Sequence, residues 1–530
     1  MSEAQEAPVL LQWVAGALDD QQDLTAVDRF SQRHQTEERV LHAERYEDLI
    51  PLSRAPGEGE QLAFRVDLDR CTGCKACVSA CHHLNGLGEG ETWRDVGLVY
   101  GEESGRSFQQ TVTTSCHHCA DPACLSGCPV MAYEKDPVTG IVRHLDDQCI
   151  GCQYCILKCP YDAPKYEPKL GIVRKCDMCT GRLAEGEAPA CVQGCPTAAI
   201  SIEIVDVADS PEELIPELGG ALPATGYTRP TTRYVTERAI ESLSPGGALS
   251  AGTAHDPLAV MLVLTQLSIG ALGFDTFLGG AALDSARLER VSLAALAGVL
   301  GLGAATLHLG RPLFAFRAML GWRTSWMSRE ILAFGLYVPA VVACAVLCGL
   351  ARLGPPVGEF AASAFPALES VTFASGLVSL VCSVMIYVDT RRPSWSLGVT
   401  ASGFLLTMWV LGALAAGFGG VGGPWLILAG ALALAGLLVW EFRTVFRVPS
   451  GKMTRSIELL RTQLSFRFRL RLVVGASAAV VACIAAVLTA SGIAGGSALA
   501  AIALGLAVMS ELVSRHLFFT AEAARAMPGA

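Results

Sequence analysis

Hydrophobic and polar positions follow two different rhythms along the chain, and the change falls near Asp256. Beyond it, apolar runs recur at roughly 257–282, 290–309, 329–351, 367–388, 397–418, 424–442, 470–490 and 496–514. A helix of about 20 residues crosses a hydrocarbon core of ~30 Å, so each run is long enough to span a bilayer. The number and continuity of these runs predict an all-α bundle of eight transmembrane helices over 257–520, not the buried helices of a large soluble domain. Gly and Ala abound in them, as in helices that pack closely within lipid. Before Asp256 the apolar groups are short and broken by Gly, Pro, charge and cysteine, the pattern of a separate soluble unit.

Charge sharpens the division. Residues 1–256 carry 21 Lys and Arg against 39 Asp and Glu, residues 257–530 carry 19 against 11, and the whole protein has a net charge of −10. No nucleic-acid partner is expected. The start, Met1-Ser2-Glu3-Ala4-Gln5-Glu6, is acidic and lacks a twin-arginine pair, and the apolar stretch Val9 to Leu18 is too short to span a membrane, so the N-terminus is expected to stay in the cytosol. Residues 1–60 form an N-terminal extension whose pattern allows a helix from Leu24 to Asp48. Residues 206–256, rich in Pro, Gly and Thr, read as an extended linker.

Sixteen of the 20 cysteines lie between Cys71 and Cys195. They form four groups: Cys71, Cys74, Cys77, Cys81; Cys116, Cys119, Cys124, Cys128; Cys149, Cys152, Cys155, Cys159; and Cys176, Cys179, Cys191, Cys195. A secreted disulfide scaffold would want a short chain with an export signal. The first and third groups instead have the spacing of bacterial ferredoxins, in which three thiolates wrap one [4Fe–4S] cube and the fourth ligates a neighbour; Pro160 follows Cys159 as that pattern expects. Paired Cys-x-x-Cys groups also make zinc sites, but zinc uses pairs, not quartets that each close with a three-residue gap. The pairs His82/His83 and His117/His118 are read as hydrogen-bonding neighbours, not ligands. Cys344, Cys348, Cys382 and Cys483 sit in apolar runs and receive no role. Four adjacent groups suit an electron wire, since a cluster that only supported a fold would not be repeated fourfold.

Residues 62–205 resemble the four-cluster iron–sulfur subunit of the dimethyl sulfoxide reductase group of molybdenum oxidoreductases, including the long gap between Cys179 and Cys191. The resemblance implies an α+β bis-ferredoxin-like domain over 61–205. It also implies four clusters, held by Cys71, Cys74, Cys77 with Cys195; Cys176, Cys179, Cys191 with Cys81; Cys116, Cys119, Cys124 with Cys159; and Cys149, Cys152, Cys155 with Cys128. Some relatives replace one cysteine of the third group and hold a three-iron cluster; Cys152 is kept here, so four [4Fe–4S] clusters are expected.

With eight spans, the loops on the cluster side and the C-terminus hold sixteen basic residues and the opposite loops only Arg287, Arg290 and Arg352. The positive-inside rule then places the iron–sulfur domain in the cytoplasm of a bacterial or archaeal cell, its anchor in the plasma membrane. A basic face that docks the acidic domain would enrich the same loops. Only His308 and His516 lie beyond residue 256, which excludes a dihaem cytochrome and leaves no haem expected. The electron carrier that remains is quinol, menaquinol or ubiquinol.

Intramembrane polar residues are costly and so are candidates for function. His308, in the run His308-Leu309-Gly310-Arg311-Pro312, and Glu330 both fall at span ends on the cluster side, where a histidine and a carboxylate can move the two protons of quinol. The residues alone equally allow His308 as a helix-end cap and Glu330 as a partner of Arg329. Residues 306–332 resemble the quinol-binding motif of the haem-free, eight-helix dimethyl sulfoxide reductase anchor, and Glu511 to Phe519 resembles its last helix. The resemblance implies quinol binding at His308, with Arg311 and Glu330 beside it. It further implies a fusion of two usually separate subunits, which passes electrons between membrane quinol and a separate molybdenum pterin catalytic subunit. Reverse flow, as in a sulfite dehydrogenase-like complex, is an alternative. A redox-linked proton or ion transporter is another; it calls for charges deep within spans, and mid-span Asp275 and Glu369 are few.

Overall fold

In the computed structural model the described residues are 46–209, 226–237, 242–245, 249–446, 454–523 and 527, less 47, 52, 104 and 105. The helix expected from Leu24 onward falls almost wholly outside them.

The cysteine-rich region is closed by its own ends. Strand β1 (Glu60–Asp67) reads EQLAFRVD and buries Leu62, Phe64 and Val66. It pairs antiparallel with β8 (Ile200–Asp206), Glu60 opposite Asp206, so the segment entering the region lies next to the segment leaving it. A long hairpin of β2 (Arg94–Glu103) and β3 (Arg106–Ser115) stands alongside. Two small hairpins follow, β4 (Tyr133–Lys135) with β5 (Val142–His144) and β6 (Lys165–Glu167) with β7 (Ile172–Arg174). Short helices at Ala76–Leu84, Ala123–Gly127, Tyr154–Lys158, Thr180–Ala184 and Ala190–Gln193 complete a small α+β, ferredoxin-like domain.

The segment expected to be a linker contributes to this domain. Strand β9 (Arg233–Val235) joins β1 in parallel, and β10 (Ser242–Pro245) joins β2 antiparallel. The Thr231 hydroxyl donates to the His117 carbonyl at 3.0 Å, and the Ala120 N–H donates to the Arg229 carbonyl at 2.8 Å. Buried Thr228, Thr231 and Thr232 explain the threonine content that a free linker does not need.

Eight helices are long and apolar enough to cross a membrane among the described residues: Asp256–Leu278, Ser285–Thr306, Trp326–Leu350, Val357–Val388, Leu397–Phe418, Gly423–Phe446, Ser465–Ala490 and Gly496–Thr520. The fourth begins ten residues before the expected 367 and keeps Pro366 inside it. The first span has the largest buried share and sits at the centre. It meets the fifth backbone to backbone: a Cβ on Gly270 would lie 2.1 Å from the Met408 carbonyl oxygen, and one on Gly412 within 2.5 Å of the Gly270 carbonyl carbon. Small residues allow that approach where lipid supplies no hydrophobic drive between helices.

The two parts are locked by a glycine junction. A Cβ on Gly310 would stand 2.2 Å from the Gly171 oxygen, and one on Gly151 2.3 Å from that same oxygen. The backbones of β7's turn, the third cysteine group and the loop after the second span therefore touch directly, main chain against main chain.

Candidate redox centre

Local backbone geometry explains how each cysteine group bends. Gly73 and Gly151 take φ of +71° and +68° inside their Cys-x-x-Cys turns, and Lys75 and Gln153, one residue after the second cysteine, take 61° and 60°. These left-handed residues turn the backbone sharply enough to bring the third thiol round beside the first two. The following short helix then carries the last cysteine away to another group.

The structure brings Cys71, Cys74, Cys77 and Cys195 around one cavity, and Cys116, Cys119, Cys124 and Cys159 around a second. Burial, then repulsion from Cys191 and Cys179, pushes the Cys81 thiol up to about 12, which ties Cys81 to the fourth group. Cys128 and Cys149 likewise raise buried Cys152 and Cys155. Backbone N–H groups aim at the sulfurs: Ala132 at Cys128 (3.2 Å), Gly151 at Cys149 (3.4 Å), Met178 at Cys176 (3.4 Å) and Ala199 at Cys195 (3.3 Å). Such donors suit thiolates held by iron. Among the described residues no three His, Cys, Asp or Glu side chains are placed to hold a single metal ion.

Two buried cations lie among the quartets. Arg94 donates to Thr113 and Ser115 at 3.3 and 2.8 Å; burial opposes its charge, but Cys191, Cys77, Cys176 and Cys81 hold it above the usual guanidinium range. Lys175 donates to the carbonyls of Val142 and Cys176, and its pKa is also raised: burial opposes the charge, while Cys116, Cys124 and Cys176 favour it. Neither cation was marked by the cysteine pattern. Lys175, adjacent to Cys176, was the more visible of the two.

Of the histidine pairs, His82 Nε2 lies 3.2 Å from the Gly88 carbonyl, and His118 Nδ1 accepts from the Val142 N–H at 3.1 Å. His117 behaves differently. It is buried with no hydrogen-bond partner at either nitrogen among the described residues, packs edge-on against Tyr161, and is pushed down to about 3 by burial and by Arg94. It is a packing group beside the second cavity.

Where the cysteine domain meets the bundle, Tyr154 inserts its ring among apolar residues of the spans and donates to the Ile386 carbonyl at 2.9 Å. Lys158 pairs with Asp389 at 2.7 Å, and Ser325 donates to the Gly127 carbonyl at 2.7 Å. His308 lies at this junction. Burial, its largest influence, lowers its pKa, and a hydrogen bond to the Cys152 backbone partly offsets that. Its ring meets His255 edge to face, centroids 5.0 Å apart, and His255 in turn meets Phe519 at 5.2 Å. His308 is therefore engaged through its imidazole, not as a helix cap. Sequence reasoning missed His255, which stands immediately before the first span in a Gly-Thr-Ala stretch.

Glu330 is buried and bonded to Ser383, with no ion pair to Arg329. Arg329 turns instead to the carbonyls of Trp322 and Arg323, over the Trp326 ring. Tyr387, on the same span as Ser383, packs on Phe519 at 5.7 Å, and Phe519 meets His255, so aromatic rings lie between this part of the bundle and the histidine pair. Arg311 points elsewhere. Its exposed guanidinium donates to the carbonyls of Asp146 (2.9 Å) and Leu170 (3.3 Å), so it fastens the cysteine domain to the bundle instead of lining the apolar site with His308 and Glu330.

This arrangement agrees with family comparisons. A 4Fe–4S binding domain model matches residues 62–83 and a 4Fe–4S dicluster domain model matches 108–204. Residues 249–418 match the model of the DMSO reductase anchor subunit (DmsC). The B subunit of anaerobic dimethyl sulfoxide reductase from Haemophilus influenzae is 37% identical over 185 residues, 32% of this protein and 87% of the relative. The protein belongs to the family of that reductase subunit. The probable anaerobic dimethyl sulfoxide reductase subunit YnfG of Escherichia coli is 36% identical over 183 residues, 32% of this protein and 86% of its own length. The thiosulfate reductase electron transfer subunit PhsB of Salmonella typhi is 38% identical over 149 residues, 28% of this protein and 77% of its own. An iron–sulfur subunit of the dimethyl sulfoxide reductase type is thus fused here to a DmsC-type, multi-pass membrane anchor. Its relatives' complexes imply a catalytic partner.

Proposed function

We propose that this protein carries electrons between membrane quinol and a separate molybdenum pterin subunit through four [4Fe–4S] clusters. The ligand sets are Cys71, Cys74, Cys77, Cys195; Cys176, Cys179, Cys191, Cys81; Cys116, Cys119, Cys124, Cys159; and Cys149, Cys152, Cys155, Cys128. Clusters supply one-electron steps when bound. One observation carries the quinol reading. The half-buried His308 ring packs on His255 at 5.0 Å in a loop whose next residues, Gly310 and Arg311, lie against Gly151 and Ile150 of the third cysteine group, so a quinol proton acceptor and the wire are neighbours.

His308, held by His255, orients the quinol hydroxyl and takes its proton; Glu330 serves the second. Two electrons leave singly and quinone remains, so each quinol is balanced by two protons and two electrons. The Cys74 end of the wire is exposed, which suits delivery to a partner. The relatives' names cover dimethyl sulfoxide and thiosulfate, and in this reading the partner sets the terminal substrate.

The test is His308→Arg in the intact complex, with cluster reduction by a menaquinol analogue followed by electron paramagnetic resonance. Reduction should be lost while dithionite still reduces every cluster. Undiminished reduction by quinol overturns the site, and iron near four per protein, in place of sixteen, overturns the cluster count.

A further inference from the structure

The third and fourth spans enclose a line of polar side chains that runs from Glu330 to the opposite end of the bundle. At the cluster end, Ser383 donates to Glu330. One turn further along the fourth span is buried Ser379, and then Gly376, whose missing side chain admits the Tyr337 ring: a Cβ there would lie 2.9 Å from it. The Tyr337 hydroxyl meets Ser268 of the first span at 2.7 Å. Next come Thr372 and Cys344, 3.5 Å apart. One turn beyond Thr372, Glu369 is bound by Arg287 at 2.9 Å, and Arg287 also holds Asp275 at 2.9 Å. Asp275 is held from its other oxygen by Arg290 at 2.6 Å, near the start of the second span.

Every member from Glu330 to Asp275 is buried. From Glu330 to Cys344 the third span rises about 21 Å, most of a hydrocarbon core of ~30 Å, and successive polar groups are separated by one to two helical turns of 5.4 Å. Hydroxyl, thiol and carboxyl groups at such intervals are within reach of one or two bridging waters. A packing role alone does not call for this composition. Apolar residues of equal size would fill the seam without the cost of buried polar atoms, and intramembrane carboxylates and arginines characterise proton relays. Asp275, in the last turn of the first span, and Glu369, isolated in the sequence, are one ion-paired terminus of a continuous series. A second buried ionic set, Arg471 with Glu511 at 2.7 Å and Glu441 at 3.4 Å, lies toward the cluster-side ends of the last three spans, outside this line.

We infer that this seam is a proton path joining the Glu330 site to the membrane face opposite the iron–sulfur domain. The inference rests on the quinol reading above. For each quinol oxidised, two electrons enter the clusters and two protons, one taken directly by Glu330 and one handed on to it from His308, pass by way of Ser383, Tyr337–Ser268 and Thr372–Cys344 to Glu369–Asp275; in reverse, two protons enter along the same line to complete quinol. Charge thus separates across the bilayer on each turnover.

The experiment uses the full complex in sealed liposomes, with a menaquinol analogue, an electron acceptor for the partner, and a pH dye in the compartment facing the Asp275 end. The expected result is two protons per quinol in that compartment. Protons on the iron–sulfur side overturn the inference and leave the quinol function intact, whereas no quinol-driven cluster reduction at all overturns the function itself. Tyr337→Phe and Thr372→Val, chosen because they preserve shape, should each slow proton appearance and quinol oxidation at least tenfold without changing the quinol KM or dithionite reduction. Glu369→Gln should do the same; because it leaves Arg287 with one carboxylate, assembly is checked by iron content, and the two shape-preserving variants decide the matter if it fails. Wild-type rates in both also overturn the path.

Discussion

The imidazoles of His255 and His308 meet edge to face with centroids 5.0 Å apart, although they lie more than fifty residues apart in sequence. His255 stands at the N-terminus of the first span, its Nε2 3.3 Å from the Thr253 hydroxyl. One face of the site is therefore built from the segment that leaves the cysteine domain, the other from the loop after the second span. Truncating His308 should lower quinol-dependent cluster reduction by roughly 10²-fold, the scale of a lost acid–base group. His255→Ala should lower it about tenfold through lost orientation, and His255→Phe should recover part of that by restoring the packing, within the scale of a mispositioned group. Stopped-flow reduction of the clusters checks all three; a wild-type rate in His255→Ala removes its positioning role.

The eight spans and the cysteine quartets were legible because each obeys a local rule: length and hydropathy for the former, spacing for the latter. What escaped was tertiary. Arg311 looked like a site residue by position, but its stem leads out of the apolar junction to the Asp146 and Leu170 carbonyls. His255 was overlooked because nothing in Gly252-Thr253-Ala254 signals that this segment folds back onto His308. The stretch after residue 206 read as a linker since three- and four-residue strands such as β9 and β10 are too short to show alternation. Glu369 and Asp275 looked too sparse to matter until Arg287, from the intervening span, joined them.

Lys175 lies between two thiol groups, its ammonium bonded to the carbonyls of Val142 and Cys176. A cluster with four thiolates is anionic and gains a further negative charge on reduction, so a buried cation favours the reduced form. Lys175→Met should lower the reduction potential of an adjacent cluster by ~60 mV or more, a tenfold shift for one electron. Redox titration followed by paramagnetic resonance reads this directly, with iron content expected to stay unchanged. Arg94→Gln should act similarly on the groups around Cys77 and Cys191.

Gly310 touches Gly171 so closely that any added side chain collides with main chain, which cannot swing away. Gly310→Val should cost about 1–3 kcal/mol of overpacking, spent on separating the cysteine domain from the bundle at the point where electrons cross. Quinol-dependent reduction should fall sharply while dithionite reduction and iron content remain. Gly303→Val, on the second span where a Cβ would meet nothing within 4 Å, is the control and should behave as wild type.

Orientation can be argued from the loops once docking is accounted for. Of the sixteen basic residues on the cluster side, Arg311, Arg317 and Arg392 donate to carbonyls of the cysteine domain and Arg391 lies over the Tyr227 ring. Docking explains those four whichever way the protein faces. Twelve remain against three on the opposite side, an excess that the docking explanation does not cover. The positive-inside rule then predicts a cytoplasmic iron–sulfur domain. An alkaline phosphatase fused after Ala530 should be inactive and a green fluorescent protein at the same position should fluoresce; the opposite pair of results would place the wire, and the partner at its end, outside the cell membrane.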